Sequence, residues 1–173
     1  MARVRRIDIT DEEEAPVKKP RKRREPKIVI PVDLKTSCEY DEELQCFKIE
    51  SPLFIQVTSN KKFPMNMNHY RNAHWSTLGD AKKIYTSIMR DAICTLPHMN
   101  KISVNYMLTF TSEMKRRHDG MNVCAVTSKF FLDALVEYHI IPDDNIDYVI
   151  HEEWNATPLE KVGKVVIQIY PVA

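Results

Sequence analysis

From Ile102 onward, apolar residues return at every second position: Val104, Tyr106, Leu108 and Phe110. A period of two is the signature of a half-buried strand, because successive side chains point to opposite faces. Further along, Val123, Val126, Phe130, Ala134 and Leu135 recur at helical spacing and predict a helix that Pro142 breaks. An earlier helix opens near Ser76 or Thr77, carries Leu78, Ala81, Tyr85, Ile88 and Ala92 on one face, and closes before Pro97. Short β-branched or aromatic runs at 27–32 and 44–49 predict strands, as does the alternation of Leu53, Ile55 and Val57 with Phe54 and Gln56. Two more strands are expected at 146–154 and 162–170, and "NKKFPMNMNHYRNAHW" reads as a connecting loop. There is no repeat. The order of strands, helix, strand, helix and two strands predicts an α+β fold, a mixed β-sheet covered by two main helices.

Composition divides the chain at about residue 26. The 173 residues are 43% hydrophobic and 28% charged, which suits one domain with a real core. Residues 1–26 hold nine of the 25 Lys and Arg and six of the 24 Asp and Glu, so residues 27–173 keep 16 basic and 18 acidic side chains. The tail is therefore net positive and the body net negative. "DEEE" precedes "KKPRKRR" in that tail, with prolines at 16, 20 and 26 and few apolar residues to offset ordering entropy. A disordered basic tail over 1–26 is expected, serving as a solvated arm, a phosphate-binding arm or a docking segment for a protein partner. Residues 27–173 form the folded domain. No apolar run approaches the roughly 18 residues of a membrane span, and no apolar signal-peptide core follows the basic start, so a cytoplasmic protein without a membrane partner is expected. Cys38, Cys46, Cys94 and Cys124 show no C-x-x-C spacing and read as reduced core thiols.

The chemistry gathers around the second helix. Asn122, Lys129 and Asp133 lie seven and four residues apart, hence on one stripe, and Asp119 stands just before the helix. Asp143 and Asp144 follow Pro142, where a chain reversal would bring them back toward a helix face. On extended backbone two adjacent side chains point to opposite faces, so one of the pair, Asp144, is expected to look into a site. Asp oxygens suit Mg²⁺, with Mn²⁺ as the alternative, shared with a substrate's phosphate oxygens. Such an ion polarises a phosphodiester and activates a water for in-line attack. By spacing alone, the same residues also fit ordinary surface pairs.

The run "RRHDGMNVCAVTSKFFLDALVEYHIIPDDN" resembles the signature of RusA-type Holliday junction resolvases: a basic strand end, D-x-x-N, a Lys, D-A-L and a D-D pair. The upstream "NMNHYRNAHW" is similar to that family's N-terminal Asn and aromatic motif. Together the likeness spans roughly residues 52 to 170. It implies a Mg²⁺-dependent crossover junction endodeoxyribonuclease of DNA recombination and repair, a homodimer acting on four-way junctions in a bacterial or phage-infected cell. By position, it implies Asp119, Asp143 and Asp144 as metal ligands. Lys129 would be the cation that steadies the scissile phosphate. Asn68, Tyr70 and Arg71 would be DNA contacts. One departure stands out: where many members carry a second acid in D-x-D-N, this chain has Met121, with Asp147 or Glu152 as substitutes. An insertion also separates Asn122 from Lys129 relative to the shortest members.

The basic Lys115, Arg116 and Arg117 directly before Asp119 favour phosphate contact, whereas His118 reads as a polar loop residue outside the catalytic set. Tyr70, His74 and Trp75 fit stacking on an unpaired base and fit packing under a loop equally well. Asp133 reads as structural, paired within the helix packing. With Gly79, Gly120 and Gly163 as the three glycines, no phosphate-cradling loop is formed, and no Ser-His-Asp order stands out. Three classes of function remain: a metal-dependent structure-selective endonuclease, a non-catalytic branched-DNA-binding protein on the same scaffold, or a regulatory protein-interaction module.

Overall fold

A computed structural model of the chain describes residues 37–109, 120–157 and 163–173. The tail and the strand expected at 27–32 lie outside the described residues. Ten elements follow in order: β1 (Glu39–Asp41), β2 (Cys46–Pro52), β3 (Phe54–Thr58), β4 (Lys61–Pro64), α1 (Met67–Asn72), α2 (Trp75–Ile93), β5 (Lys101–Thr109), α3 (Gly120–Glu137), β6 (Val149–Thr157) and β7 (Lys164–Val172). Five strands form a mixed sheet in the order β1-β2-β7-β5-β6, and β3 and β4 form a separate hairpin. The expected α+β class therefore holds, with one parallel pair, β5 and β6, and antiparallel pairing elsewhere.

The period of two in β5 does what it predicts. Ile102, Val104, Tyr106 and Leu108 are buried, and in the register with β7 Val104, Tyr106 and Leu108 stand beside Ile169, Ile167 and Val165. α2 and α3 cover this apolar side, and Phe130 of α3 is the point where the layers meet. Its ring stacks on Phe63 of β4 at 6.3 Å and receives Tyr70 of α1 and Tyr85 of α2 edge-on at 6.2 and 5.7 Å. Such edge-to-face pairs add to plain area burial. The reverse side of the sheet is polar, with Asn155 Nδ2 donating to Asn105 Oδ1 at 3.1 Å and Asn105 Nδ2 donating to Gln168 Oε1 at 2.9 Å.

Three local readings need correction. The segment read as a loop contains β4 and α1; Asn66 caps α1 by accepting the His69 N–H at 3.0 Å. α3 is stopped before Pro142, by a left-handed residue: His139 has φ 58, its N–H donates to Val136 O at 3.0 Å, and Ile140 N–H donates to Leu135 O at 2.8 Å. That pair of bonds is a Schellman motif, with His139 at the position that glycine usually takes. The cysteines are all free, as expected, and Cys46 and Cys124 are buried, but Cys94 is exposed at the end of α2.

Candidate functional site

From Ser51 to Gly79 the chain carries no Asp or Glu, yet it holds Lys61, Lys62 and Arg71 together with His69 and His74. The fold gathers that stretch into one place: the β3–β4 hairpin, α1 and the first turn of α2. Lys61 Nζ donates to Thr77 Oγ1 at 3.3 Å, which ties the hairpin tip to the start of α2. Lys62 Nζ lies 4.3 Å from the centroid of the Phe54 ring. Asn68 and Arg71 are exposed on α1. Tyr70 is not available in the same way, because it is half-buried against Phe130. His74 is exposed but occupied: Nδ1 accepts the Ser76 N–H at 3.3 Å and lies 2.8 Å from Ser76 Oγ, so the ring caps α2. Trp75 is left with 74% of its surface exposed, its ring 5.4 Å from that of His74.

The residues expected to contact phosphates after β5, Lys115, Arg116 and Arg117, and the expected ligand Asp119, lie outside the described residues. α3 begins at Gly120, where an added Cβ would stand 3.7 Å from Leu108 Cδ2, so this helix opens at the upper end of β5. Lys129 is exposed at its midpoint and has no partner among the described residues. Asp133 pairs with Lys82 of α2, Nζ to Oδ2 at 2.8 Å, and not with Lys129. It holds one helix to another, which agrees with a structural role.

Asp143 and Asp144 do not begin a strand. They sit in a bend before β6, so the alternation argument for their side chains does not apply. Asp143 spends both oxygens on its own loop: Oδ1 accepts the Asp144 N–H and Oδ2 accepts Asn145 Nδ2, each at 2.8 Å. Asp144 is exposed, and its carboxylate has no partner among the described residues. Asn145 O accepts the Val149 N–H at 2.9 Å and Tyr148 O accepts the Ile102 N–H at 2.8 Å, which pins this loop to the lower end of β5.

The two ends of β5 are far apart on the scale of a metal site. The six steps from Ile102 to Leu108 span about 20 Å at about 3.3 Å per residue. Opposite ligands of one Mg²⁺ stand only about 4 Å apart, and one peptide link from Gly120 adds about 3.8 Å. The upper end of α3 and the Asp143–Asp144 loop thus lie toward opposite ends of β5. Among the described residues, no group of three or more His, Cys, Asp or Glu side chains is arranged to hold a metal. Asp119 lies outside those residues, so the described acids are only part of the ligand set that the resemblance implies.

Between those ends lies an acid that the sequence raised only as a substitute. Glu152 stands beside Val104 in the β5–β6 register, hence on the α3 side of the sheet, and Ser128 Oγ of α3 donates to its Oε2 at 2.5 Å. Tyr106 is fully buried next to this pair, and its hydroxyl makes no hydrogen bond of ordinary geometry with either partner. Burial first, and the Glu152 charge second, push the Tyr106 phenol well above its usual range. Above them, Gly120, Met121 and Cys124 face Trp154, Asn155 and Ala156 across a cleft of about 200 Å³. Met121 is 66% exposed in that cleft wall, so the position that carries an acid in RusA-like sequences faces solvent beside Trp154.

No protein-family model matches the chain, and no curated protein matches it significantly. Sequence reasoning overlooked Lys61 and Lys62, although the acid-free stretch around them was legible. It also overlooked Trp154, whose place beside Met121 follows only from the β5–β6 pairing. No helix among the described residues is long and apolar enough to cross a membrane.

Proposed function

We propose that the chain binds branched DNA and, as its RusA-like signature implies, hydrolyses phosphodiesters of four-way junctions in a reaction dependent on Mg²⁺ or Mn²⁺. The observation that carries the DNA-binding part is the acid-free stretch of hairpin, α1 and α2 start, which carries Lys61, Lys62 and Arg71 together with the exposed Trp75 on a net-negative body. Phosphate contacts of this kind position a protein on nucleic acid without reading sequence. The hydrolytic part rests on the signature residues Asp119, Lys129, Asp143 and Asp144. A junction has two strands to cut symmetrically, so a two-fold homodimer is the economical assembly. Such a dimer also offers a way for Asp144 of one copy to approach the α3 opening of the other.

Two observations favour a second reading, a junction-binding protein without nuclease activity. Within one copy, the upper end of α3 and the Asp144 loop lie toward opposite ends of β5, and residue 121 is Met. The test is a mobile four-way junction incubated with Mg²⁺ or Mn²⁺, set beside a gel shift in EDTA. Cutting by the wild type, abolished in Asp144→Asn with junction binding intact or tighter, is expected. Near-normal cutting by Asp144→Asn refutes the role of that acid, and binding without any cutting establishes the second reading.

A further inference from the structure

We infer that Trp75 is a stacking platform for an unpaired nucleobase, and that this platform gives the DNA surface its preference for branched or single-stranded DNA over duplex. The inference rests on the DNA-binding reading above and adds the residue that distinguishes one form of DNA from another. Tyr70, His74 and Trp75, close together in sequence, are candidates for stacking, and the structure separates them, while the Phe54 ring of the same stretch already lies under Lys62. Tyr70 is committed to the Phe130 ring, and His74 to the α2 cap. Trp75 is the first residue of α2 and is 74% exposed. A large aromatic ring held out in water is open to stacking by a flat partner.

The surroundings identify the occupant by charge. Thr77, in the same helical turn as Trp75, accepts from Lys61 Nζ at 3.3 Å, so the hairpin tip brings a cation to this turn. Arg71 is exposed four residues before Trp75, and no acid occurs between Ser51 and Gly79. An exposed flat ring on a stretch that carries Lys61 and Arg71 and no acid matches a ligand with a π-face and an attached anion, which is a nucleotide within a strand. Duplex DNA keeps its base faces stacked on one another, so it offers this site phosphates only. A branch point or a single strand also offers a base, and stacking tolerates any base because each has a π-face.

The experiment compares wild type, Trp75→Ala and Trp75→Phe in binding a single-stranded oligonucleotide, a four-way junction and a linear duplex, at low salt in EDTA. Trp75→Ala should weaken single-strand and junction binding roughly ten-fold and duplex binding less than about two-fold, and Trp75→Phe should recover most of the loss. The chain has two tryptophans, so a Trp154→Phe background isolates Trp75 emission, which single-stranded DNA should quench. Unchanged binding by Trp75→Ala, equal loss on all three DNAs, or emission that stays unquenched while the strand binds overturns the inference and leaves the DNA-binding reading standing. Polyglutamate that binds as tightly as the single strand, with the same sensitivity to Trp75→Ala, also overturns it. Wild type that binds none of the three DNAs refutes the DNA-binding reading, and the inference falls with it.

Discussion

Replacing Lys61 and Lys62 together by alanine removes two positive charges from the hairpin tip without touching the core, since both side chains are exposed. Lys61 donates to a neutral hydroxyl at 3.3 Å and so keeps its whole charge for a phosphate. Lys62 lies over the Phe54 ring, an exposed cation–π contact of about 0.5–1 kcal/mol that a phosphate contact must share or displace. Each phosphate neutralised on duplex DNA contributes about 0.9 to the slope of log affinity against log salt. The double variant should therefore lower that slope by about 1.8, or by about 0.9 if Lys62 stays on its ring. The affinity deficit should shrink by about ten-fold as salt rises from about 50 to about 200 mM, because the lost contacts are the salt-sensitive ones. Fluorescence anisotropy with labelled duplex over a KCl series measures the slope. Lys83 and Arg90, exposed further along α2, supply a charge-matched control that should leave it unchanged. An unchanged slope in the Lys61 and Lys62 variant, or an equal drop in the control, refutes the assignment of this surface.

Tyr106→Phe removes a buried hydroxyl that has no hydrogen bond of ordinary geometry among the described residues, and should raise stability by about 1 kcal/mol and the melting temperature by about 2–4 °C; a fall of that size would show that the hydroxyl is bonded in solution. Burial also raises the phenol pKa of Tyr85 and of Tyr106 in the folded state, so their stabilising contribution is whole below the unfolded value of about 10 and is lost as pH rises above it. Phenolate absorbance in an alkaline titration should then appear for these two only with unfolding, and early titration of all seven tyrosines would contradict their burial. At the end of α3, His139→Gly relieves a left-handed backbone at φ 58 and should stabilise by about 1 kcal/mol in thermal melts, whereas a loss would mean that the His139 ring itself supports the turn.

Period carried the sequence reading where elements were long. β5 and α3 each run through enough residues for a repeat of two or of 3.6 to emerge, and their apolar positions are the buried ones. β4 and α1, with four and six residues, are shorter than a pattern needs, and Asn66 as a cap was the one local signal for α1. "PDDN" shows a different failure. Its residues were read as the start of a strand, but Asp and Asn bond to nearby backbone and shape turns, and Asp143 and Asn145 do that here. The roles of Tyr70 and Trp75 were undecidable from sequence for a tertiary reason. One meets Phe130 and the other meets water, and nothing local distinguishes two aromatic residues five positions apart.

The same tertiary contacts explain why a charged surface on short elements can act as one piece. A six-residue helix and a two-stranded hairpin are each marginal in isolation. Phe130 joins them, since the rings of Phe63 and Tyr70 reach it from β4 and α1, and that of Tyr85 reaches it from α2. The Lys82–Asp133 pair then ties α2 to α3 a little further along. Lys61, Arg71 and Trp75 are thereby carried on elements fixed to the helix that bears Lys129, next to the Phe130 hub. Cations held in place before a polyanion arrives lose less freedom on binding than cations on a flexible arm. On the DNA-binding reading proposed above, the folded surface is the part able to discriminate between shapes of DNA, while the six cations at 18–24 would add affinity that salt removes for every shape alike.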